Sequence, residues 1–434
     1  MLHCPRVGAL FALATPQPSP MSHDVIIVGA GLAGLCCARA LVAAGVTPLL
    51  LEASDAPGGR LRTDDVDGFL LDRGFQVLLT AYPEAQRQLD YAALDLRTFE
   101  SGAQVRVKGR FHDVADPLRH PSLALGTAAA PVGSIADKLN VLKLRQRVTR
   151  GEFEAVFAQP EKATVDALRD DYGFSATMID RFFRPFFGGI MLERELGASR
   201  RMFDFVYRML VEGETAIPAL GIQQIPRQLA SGLPAGVLVC ESRVSAVTPS
   251  SVTLESGETL NAKAVVVAVE GPAAQTLVPA VDAPRSIPVT CLYFDAPAAP
   301  SVRSVLMLDG DGKGPVNNLC VPSNLSSTFA PSGRHLVSAT VLGPRPDSMS
   351  DLEAAARVQL TRWFGREVTE WNALPHVHIA HAQPGQSPPR LSTIERPQHI
   401  AGVWVCGDHQ DTASIQGAMV SGRRAAEAVA EALS

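Results

Sequence analysis

The 434-residue sequence predicts an α/β protein of two lobes. One lobe is a parallel sheet interleaved with helices and assembled from segments far apart in the chain. The other is α+β, a sheet flanked by helices. Three observations predict this. A short β-branched run, DVIIV at residues 24–28, leads at once into glycines and a helical stretch over residues 32–44, as a strand buried on both faces and its following helix do. Residues 237–271 alternate apolar and polar side chains between turn signals and end in AVVVAV, the pattern of a β-meander followed by a buried strand. Residues 403–433 give a last strand, a loop and a terminal helix.

Composition bounds what such a protein does. A chain of this length exceeds one ordinary core and calls for two or three domains. With 46% hydrophobic and 19% charged residues it folds around a large interior. A net charge of -5 provides no overall attraction to phosphate backbones, which argues against a nucleic-acid partner. The longest apolar runs are strand-sized, well short of the roughly 18 to 20 residues that cross a bilayer. Seven cysteines, at positions 4, 36, 37, 240, 291, 320 and 406, show no C-x-x-C spacing and are too sparse for a disulfide framework, so a cytoplasmic location is expected. Residues 1–20 form a proline-bearing leader ahead of Met21, which itself opens MSHDVIIVGAG. They are expected to be an N-terminal extension outside the fold, a disordered tail or an upstream start.

The first strand ends in Gly29, Ala30, Gly31, Leu32, Ala33 and Gly34. In this G-x-G-x-x-G spacing the first glycine makes the tight turn and the second lets backbone approach a pyrophosphate. The third lets the helix pack on its strand, with the helix N-terminus facing phosphate. After Gly45 the strand VTPLLLE ends in Glu52, followed by Ala53, and an acid at that distance accepts hydrogen bonds from ribose hydroxyls. A dinucleotide site on a Rossmann-like domain follows. Directly after the acid comes APGGRLRT, with Gly58, Gly59, Arg60 and Arg62. An NAD site has no need of it, whereas an extended FAD runs its pyrophosphate and ribityl chain past the first turn, where glycines allow close approach and an arginine offsets phosphate charge.

With that second motif the sequence resembles the flavin-dependent amine oxidase and phytoene desaturase superfamily, which joins the dinucleotide fingerprint to G-G-R-x-R-T. The far end is similar as well: Gly407, Asp408, then Ser414, Ile415, Gln416 and Ala418 in SIQGA, then a terminal helix. The resemblance implies an FAD domain from residues 21–90, 222–280 and 391–434, and a substrate domain from 91–221 and 281–390. It implies that Asp408 contacts the ribityl or pyrophosphate region, that the helix beginning near Ile415 aims its N-terminus at the flavin, that Gly74, Phe75 and Gln76 pass over the ring, and that Val244 sits at the adenine. Val244 as an ordinary core residue and Gln76 as a satisfied loop residue, rather than a catalytic one, stay open. FAD is expected to be non-covalent, because the S-x-G-A turn holds neither histidine nor cysteine, although Cys406 is near.

In the middle, residues 134–220 read as mostly helical and 285–345 and 374–382 as strands. Phe182, Phe183, Phe186 and Phe187 crowd beside Arg181 and Arg184. They line an apolar substrate tunnel or a membrane-facing mouth, or they simply fill the core, as Met202, Phe205, Val206, Met209 and Leu210 do at helical spacing. His376, His378 and His381 lack a cysteine or carboxylate at fitting spacing, so no metal is expected.

Two departures separate the chain from the amine oxidases it resembles. Ser414 stands where many of them carry an aromatic cage residue, and SIPVTCLYF (286–294) lacks their lysine. The expected function is therefore FAD-dependent desaturation or dehydrogenation, or isomerisation, of an apolar isoprenoid or carotenoid-like molecule, with oxygen or a quinone as electron acceptor and with peripheral membrane contact. Amine oxidation, a protoporphyrinogen-oxidase-like activity and a non-catalytic isoprenoid-binding escort are the alternatives.

Overall fold

A computed structural model describes residues 23–116, 119–389 and 398–434; the expected extension at residues 1–20 lies outside them. Five parallel strands stand in the spatial order Leu238–Val239, Pro48–Leu51, His23–Val28, Thr259–Val267 and Val403–Val405. Ile26 is in register with Leu49 on one side and Val265 on the other. The central strands are uninterrupted apolar runs because helices or loops cover both faces: Val25, Ile26, Ile27, Val265, Val266 and Val267 are all fully buried. The expected meander, Val244–Thr248 and Ser251–Leu254, continues antiparallel from Thr259–Val267. Strands widely separated in sequence thus share one sheet.

Helix Leu32–Ala43 follows the first strand, and helix Ile415–Leu433 packs against it. Both contacts are made by backbone. A Cβ on Gly34 would stand 1.9 Å from the Gly29 carbonyl oxygen, and one on Gly422 would stand 2.0 Å from the Ala33 carbonyl oxygen.

The second lobe centres on a sheet in the order Asn372–Ala373, Ser286–Ala296, His335–Leu342, Val316–Cys320, Leu306–Asp309, Gly102–Val107 and Arg110–Ala115, with Val377–Pro384 also paired to Ser286–Ala296. Helix Met349–Phe364 covers it through Ala356 and Leu360. Helices Arg184–Met191 and Arg200–Glu212 belong to the cluster that joins it to the first lobe. The hairpin of Gly102–Val107 and Arg110–Ala115 was not anticipated; its alternating GAQVRV pattern is the signal that marks it. A small sheet pairs Thr215–Pro218 with both Leu78–Leu79 and Leu96–Thr98, so the lobes are stitched together across the boundary expected near residue 90.

The four phenylalanines divide. Phe183 and Phe187 are fully buried and stack among Phe174, Phe203 and Tyr207, which corrects their assignment to a tunnel wall: they are core. Phe182 and Phe186 stack on one another at 5.4 Å and are only partly buried. Within the same lobe Asp204 is buried against the Tyr172 hydroxyl, which donates to it at 2.6 Å. Burial pushes its carboxyl up to about 6, against the opposing pull of Tyr172, Arg200 and Arg147.

Two outcomes follow from this packing. Gly422→Ala is expected to lower the melting temperature sharply, because the methyl must displace main chain rather than a flexible side chain; overpacking of this kind costs about 1 to 3 kcal/mol or more. Asp204 binds its proton more tightly folded than unfolded, so its contribution is full below its ordinary value of 3.8 and is lost as pH rises through about 6. Asp204→Asn should flatten the stability profile between pH 4 and 7 by about 3 kcal/mol, read from urea unfolding at each pH.

Candidate active site

A cavity of about 880 Å³ begins at the first glycine turn and extends into the second lobe. Gly29 takes φ +100°, which turns the chain out of the strand. Helix Leu32–Ala43 has Gly31 as its N-cap and no side-chain acceptor there, whereas helices Ile135–Val148, Arg200–Glu212 and Ile415–Leu433 are capped by Ser134, Ser199 and Ser414. A Cβ on Gly31 would meet nothing within 4 Å. An uncapped helix N-terminus open to a cleft is suited to an anion.

Glu52 is held at the end of its strand. One carboxylate oxygen accepts from the Ala30 N–H at 2.8 Å, and the other accepts from the Ser54 N–H at 2.9 Å and hydroxyl at 2.8 Å. A carboxylate has further lone pairs for ribose hydroxyls, and Glu52 lines the cavity. Ala53 is not among the lining residues.

The two arginines of the second motif part company. Arg60 lines the cavity, donates to the Ala382 carbonyl at 3.0 Å and pairs with Asp408 at 2.7 Å. Burial alone would lower its guanidinium, but the Asp408 carboxylate outweighs that and raises it. Arg62 is buried, pairs with Asp55 at 2.9 Å and donates to the Ala56 carbonyl. It does not line the cavity and instead braces the loop, a correction to its cofactor role. Gly58 and Gly59 do line it, with Gly59 set so that a Cβ would stand 3.3 Å from the Gly31 Cα.

The C-terminal segment arrives from the other side. Gly407, Asp408, Ser414, Ile415 and Ala418 line the cavity. Ser414 accepts from the Gly417 N–H at 3.0 Å and so caps the terminal helix. Gln416 turns away and accepts from the Glu84 N–H at 2.8 Å, which corrects its placement beside the cofactor. Val244 packs in the sheet cluster and does not line the cavity, so the core reading describes its side chain. Ala30 and Gly34 act behind the turn, Ala30 through its bond to Glu52 and Gly34 through its contact with Gly29.

Gly74, Phe75 and Gln76 line the cavity on a loop pinned from beneath: the Gly74 N–H donates to the Tyr293 hydroxyl at 3.2 Å and the Phe75 N–H to the Cys291 sulfur at 3.3 Å. Gln76 donates to the Arg60 and Arg73 carbonyls at 2.9 and 3.0 Å. Its amide nitrogen therefore holds the loop against the arginine motif. Among the residues the sequence did not single out are Asn318 and Thr340, which line the cavity and are joined by a 3.2 Å hydrogen bond. The signal was an asparagine pair inside a buried strand, VNNLC. His378 bonds Thr290, and His376 accepts from the Tyr293 N–H and lies 3.3 Å from Glu353. Among the described residues, no group of three or more histidine, cysteine or acidic side chains is placed to hold a metal.

The open space at Gly31, the uncapped helix and the oriented Glu52 fit a dinucleotide with a pyrophosphate. Gly31→Ala is therefore expected to leave folding intact while FAD per protein, read from the 450 nm to 280 nm ratio, falls at least severalfold; the contrast with Gly422→Ala separates a binding glycine from a packing glycine.

Comparison with known proteins agrees with this geometry. Residues 32–430 match the model of the family described as flavin containing amine oxidoreductase. The chain is 38% identical over 86 residues to a 15-cis-phytoene desaturase of an Oncidium hybrid cultivar, covering 20% of this chain and 14% of that protein. It is 44% identical over 75 residues to putrescine oxidase of Kocuria rosea, covering 17% and 16%. The matched stretches thus span about a sixth or less of these relatives' lengths. Among solved structures, an oxidoreductase from Methanosarcina mazei superposes with a TM-score of 0.71 at 16% identity over 92% of this chain and 98% of that one. Cyclohexylamine oxidase from Brevibacterium oxydans IH-35A gives 0.70 at 18% identity over 95% and 100%; at such identities the likeness is one of fold. The chain belongs to the flavin containing amine oxidoreductase family.

Proposed function

We propose that this FAD-dependent oxidoreductase desaturates or dehydrogenates an apolar molecule of isoprenoid or carotenoid type. The carrying observation is the wall of the cavity beyond the glycine turn, where Phe182, Phe186, Ile190, Met202, Val206 and Leu210 lead inward to Val289, Leu306 and Ile379. FAD, when bound, supplies the hydride acceptor. The chain's own part is to bind, orient and keep dry. Gly31 and the helix N-terminus would hold the pyrophosphate of FAD and Glu52 its ribose, while Asp408 and Arg60 line the same cavity from the C-terminal side. The apolar wall excludes water and holds a hydrocarbon by burial alone, at roughly 25 cal/mol per Å² of apolar surface. Asn318 and Thr340 provide the polar pair in that wall. An isomerisation of the same substrate class would use the same walls.

Amine oxidation is the second reading, favoured by the match to a putrescine oxidase. Against it, Ser414 is committed to capping the terminal helix, and the strand Ser286–Ala296 presents Val289 to the cavity. Cys406 is fully buried, does not line the cavity, and has its thiol pushed up to about 12 by burial, which supports a non-covalent cofactor.

Anaerobic mixing of the yellow protein with carotenes, linear isoprenoids and a set of primary amines and diamines decides between the readings. Bleaching by an isoprenoid with the appearance of a longer conjugated product is the expected result, and reoxidation on adding oxygen or a quinone identifies the acceptor. Bleaching by amines alone would transfer the assignment to amine oxidation, and a purified protein without flavin would favour an escort.

A further inference from the structure

The cavity wall reaches the surface at Ile135, Lys138, Leu139 and Leu142 on helix Ile135–Val148. Eight large apolar side chains stand exposed among the described residues, and four of them, Leu125, Ile135, Leu139 and Leu142, lie together in this stretch of sequence. Leu125 is 86% exposed, Ile135 62% and Leu139 54%, far from the inward-turned Leu144 and Val148 of the same helix. Ile135, Leu139 and Leu142 fall at i, i+4 and i+7, so they form one outward stripe.

This stripe is built firmly. Ser134 and Asp137 close a capping box, and Asp137, itself buried, accepts from the Ser175 N–H at 2.7 Å and hydroxyl at 2.8 Å. Lys138 donates to the Ala128 and Ala130 carbonyls at 2.6 and 2.8 Å, tying the helix to Ala124–Ala129. Helix Ala124–Ala129 carries no charged side chain.

The surrounding charge is the reverse of the chain's. Residues 119–150 hold six bases, Arg119, Lys138, Lys143, Arg145, Arg147 and Arg150, and a single acid, Asp137, in a protein of net charge -5. Glu214 and Asp116 pair with Arg119 and Arg145. Lys143 and Arg150 are exposed, and Lys143 follows Leu139 at a step of four, so the apolar stripe runs into a basic edge; Arg147, one step further, lays its guanidinium over the Tyr172 ring at 5.0 Å. By contrast Arg181 donates to the Pro131 carbonyl, and Arg184 pairs with Asp180 and donates to the Arg194 carbonyl. Both arginines of the phenylalanine cluster are thus engaged within the chain, and the free basic charge stands on a different surface.

We propose that helices Ala124–Ala129 and Ile135–Val148 form a docking surface for a bilayer bearing anionic lipid, seated so that the cavity mouth opens against the acyl region. The apolar stripe enters the headgroup boundary while Lys143 and Arg150 meet lipid phosphates, the division of labour of an interfacial helix. No helix among the described residues is long and apolar enough to cross a membrane, and docking of this kind requires none. Delivery of substrate from the lipid rests on the function proposed above; docking itself does not.

Co-sedimentation of the full chain with phosphatidylcholine vesicles, with and without one-third phosphatidylglycerol, tests docking without any substrate. Binding is expected only to the anionic vesicles, weakening as salt rises. The double variant L125D/L139D should bind at least tenfold more weakly, and K143E/R150E should lose the salt-sensitive part, both with an unchanged flavin spectrum and melting temperature. Absence of wild-type binding at low salt, or equal binding by L125D/L139D, overturns the proposal. So does a concentration-dependent dimer that L139D dissociates in the absence of vesicle binding, since a second copy would then be the occupant of this surface.

Discussion

The Ala33 carbonyl oxygen lies 2.0 Å from where a Cβ of Gly422 would stand, and the Gly29 carbonyl lies 1.9 Å from the corresponding position on Gly34. Through these two backbone contacts the first helix is pressed onto its strand on one side and receives the terminal helix on the other. The position of everything at the site depends on that spacing. Dense packing of this kind leaves no room for compromise, because main chain, unlike a long side chain, has nowhere to move.

The Arg60 and Asp408 pair works within that frame. Its members lie at opposite ends of the sequence, yet meet at 2.7 Å with Asp408 largely buried. An ion pair so placed contributes little net stability, since desolvation offsets most of the Coulomb attraction. Its effect is directional: it fixes both side chains at the cavity wall and leaves the guanidinium already compensated. Attraction for a pyrophosphate then falls mainly to the uncapped N-terminus of Leu32–Ala43 and its backbone N–H groups.

In the second lobe the aromatic side chains separate into two duties by depth. Phe183, Phe187, Phe203 and Phe205 are fully buried and carry the packing of the helical layer. Phe182 and Phe186, four residues apart and stacked on one another, face the cavity. The same helical layer presents its outward stripe at Ile135, Leu139 and Leu142, so a mainly apolar wall, broken by Lys138 at the mouth and by Asn318 and Thr340 further along, leads from the surface toward the polar cofactor end. The lobe therefore has a chemical gradient that suits a hydrocarbon entering from a low-dielectric phase.

The sequence by itself determined the cofactor lobe and the family, because the demands there are local. A tight turn, a close approach and a ribose acceptor each require one residue type at one spacing, and Gly29, Gly31, Gly34, Glu52, Gly59 and Asp408 satisfy them. Only the tertiary structure decided which members of those motifs face the cavity. Arg60 and Arg62 are two residues apart and equally basic, yet one lines the wall and the other braces Asp55, a difference set by the partner each finds across the fold. Gln416 and Ser414 are likewise two apart, and helix rotation sends the first to Glu84. The phenylalanine quartet was illegible for the same reason: apolar periodicity records that a side chain is buried, and burial in a core and burial along a cavity wall look the same until the opposing surface is in place.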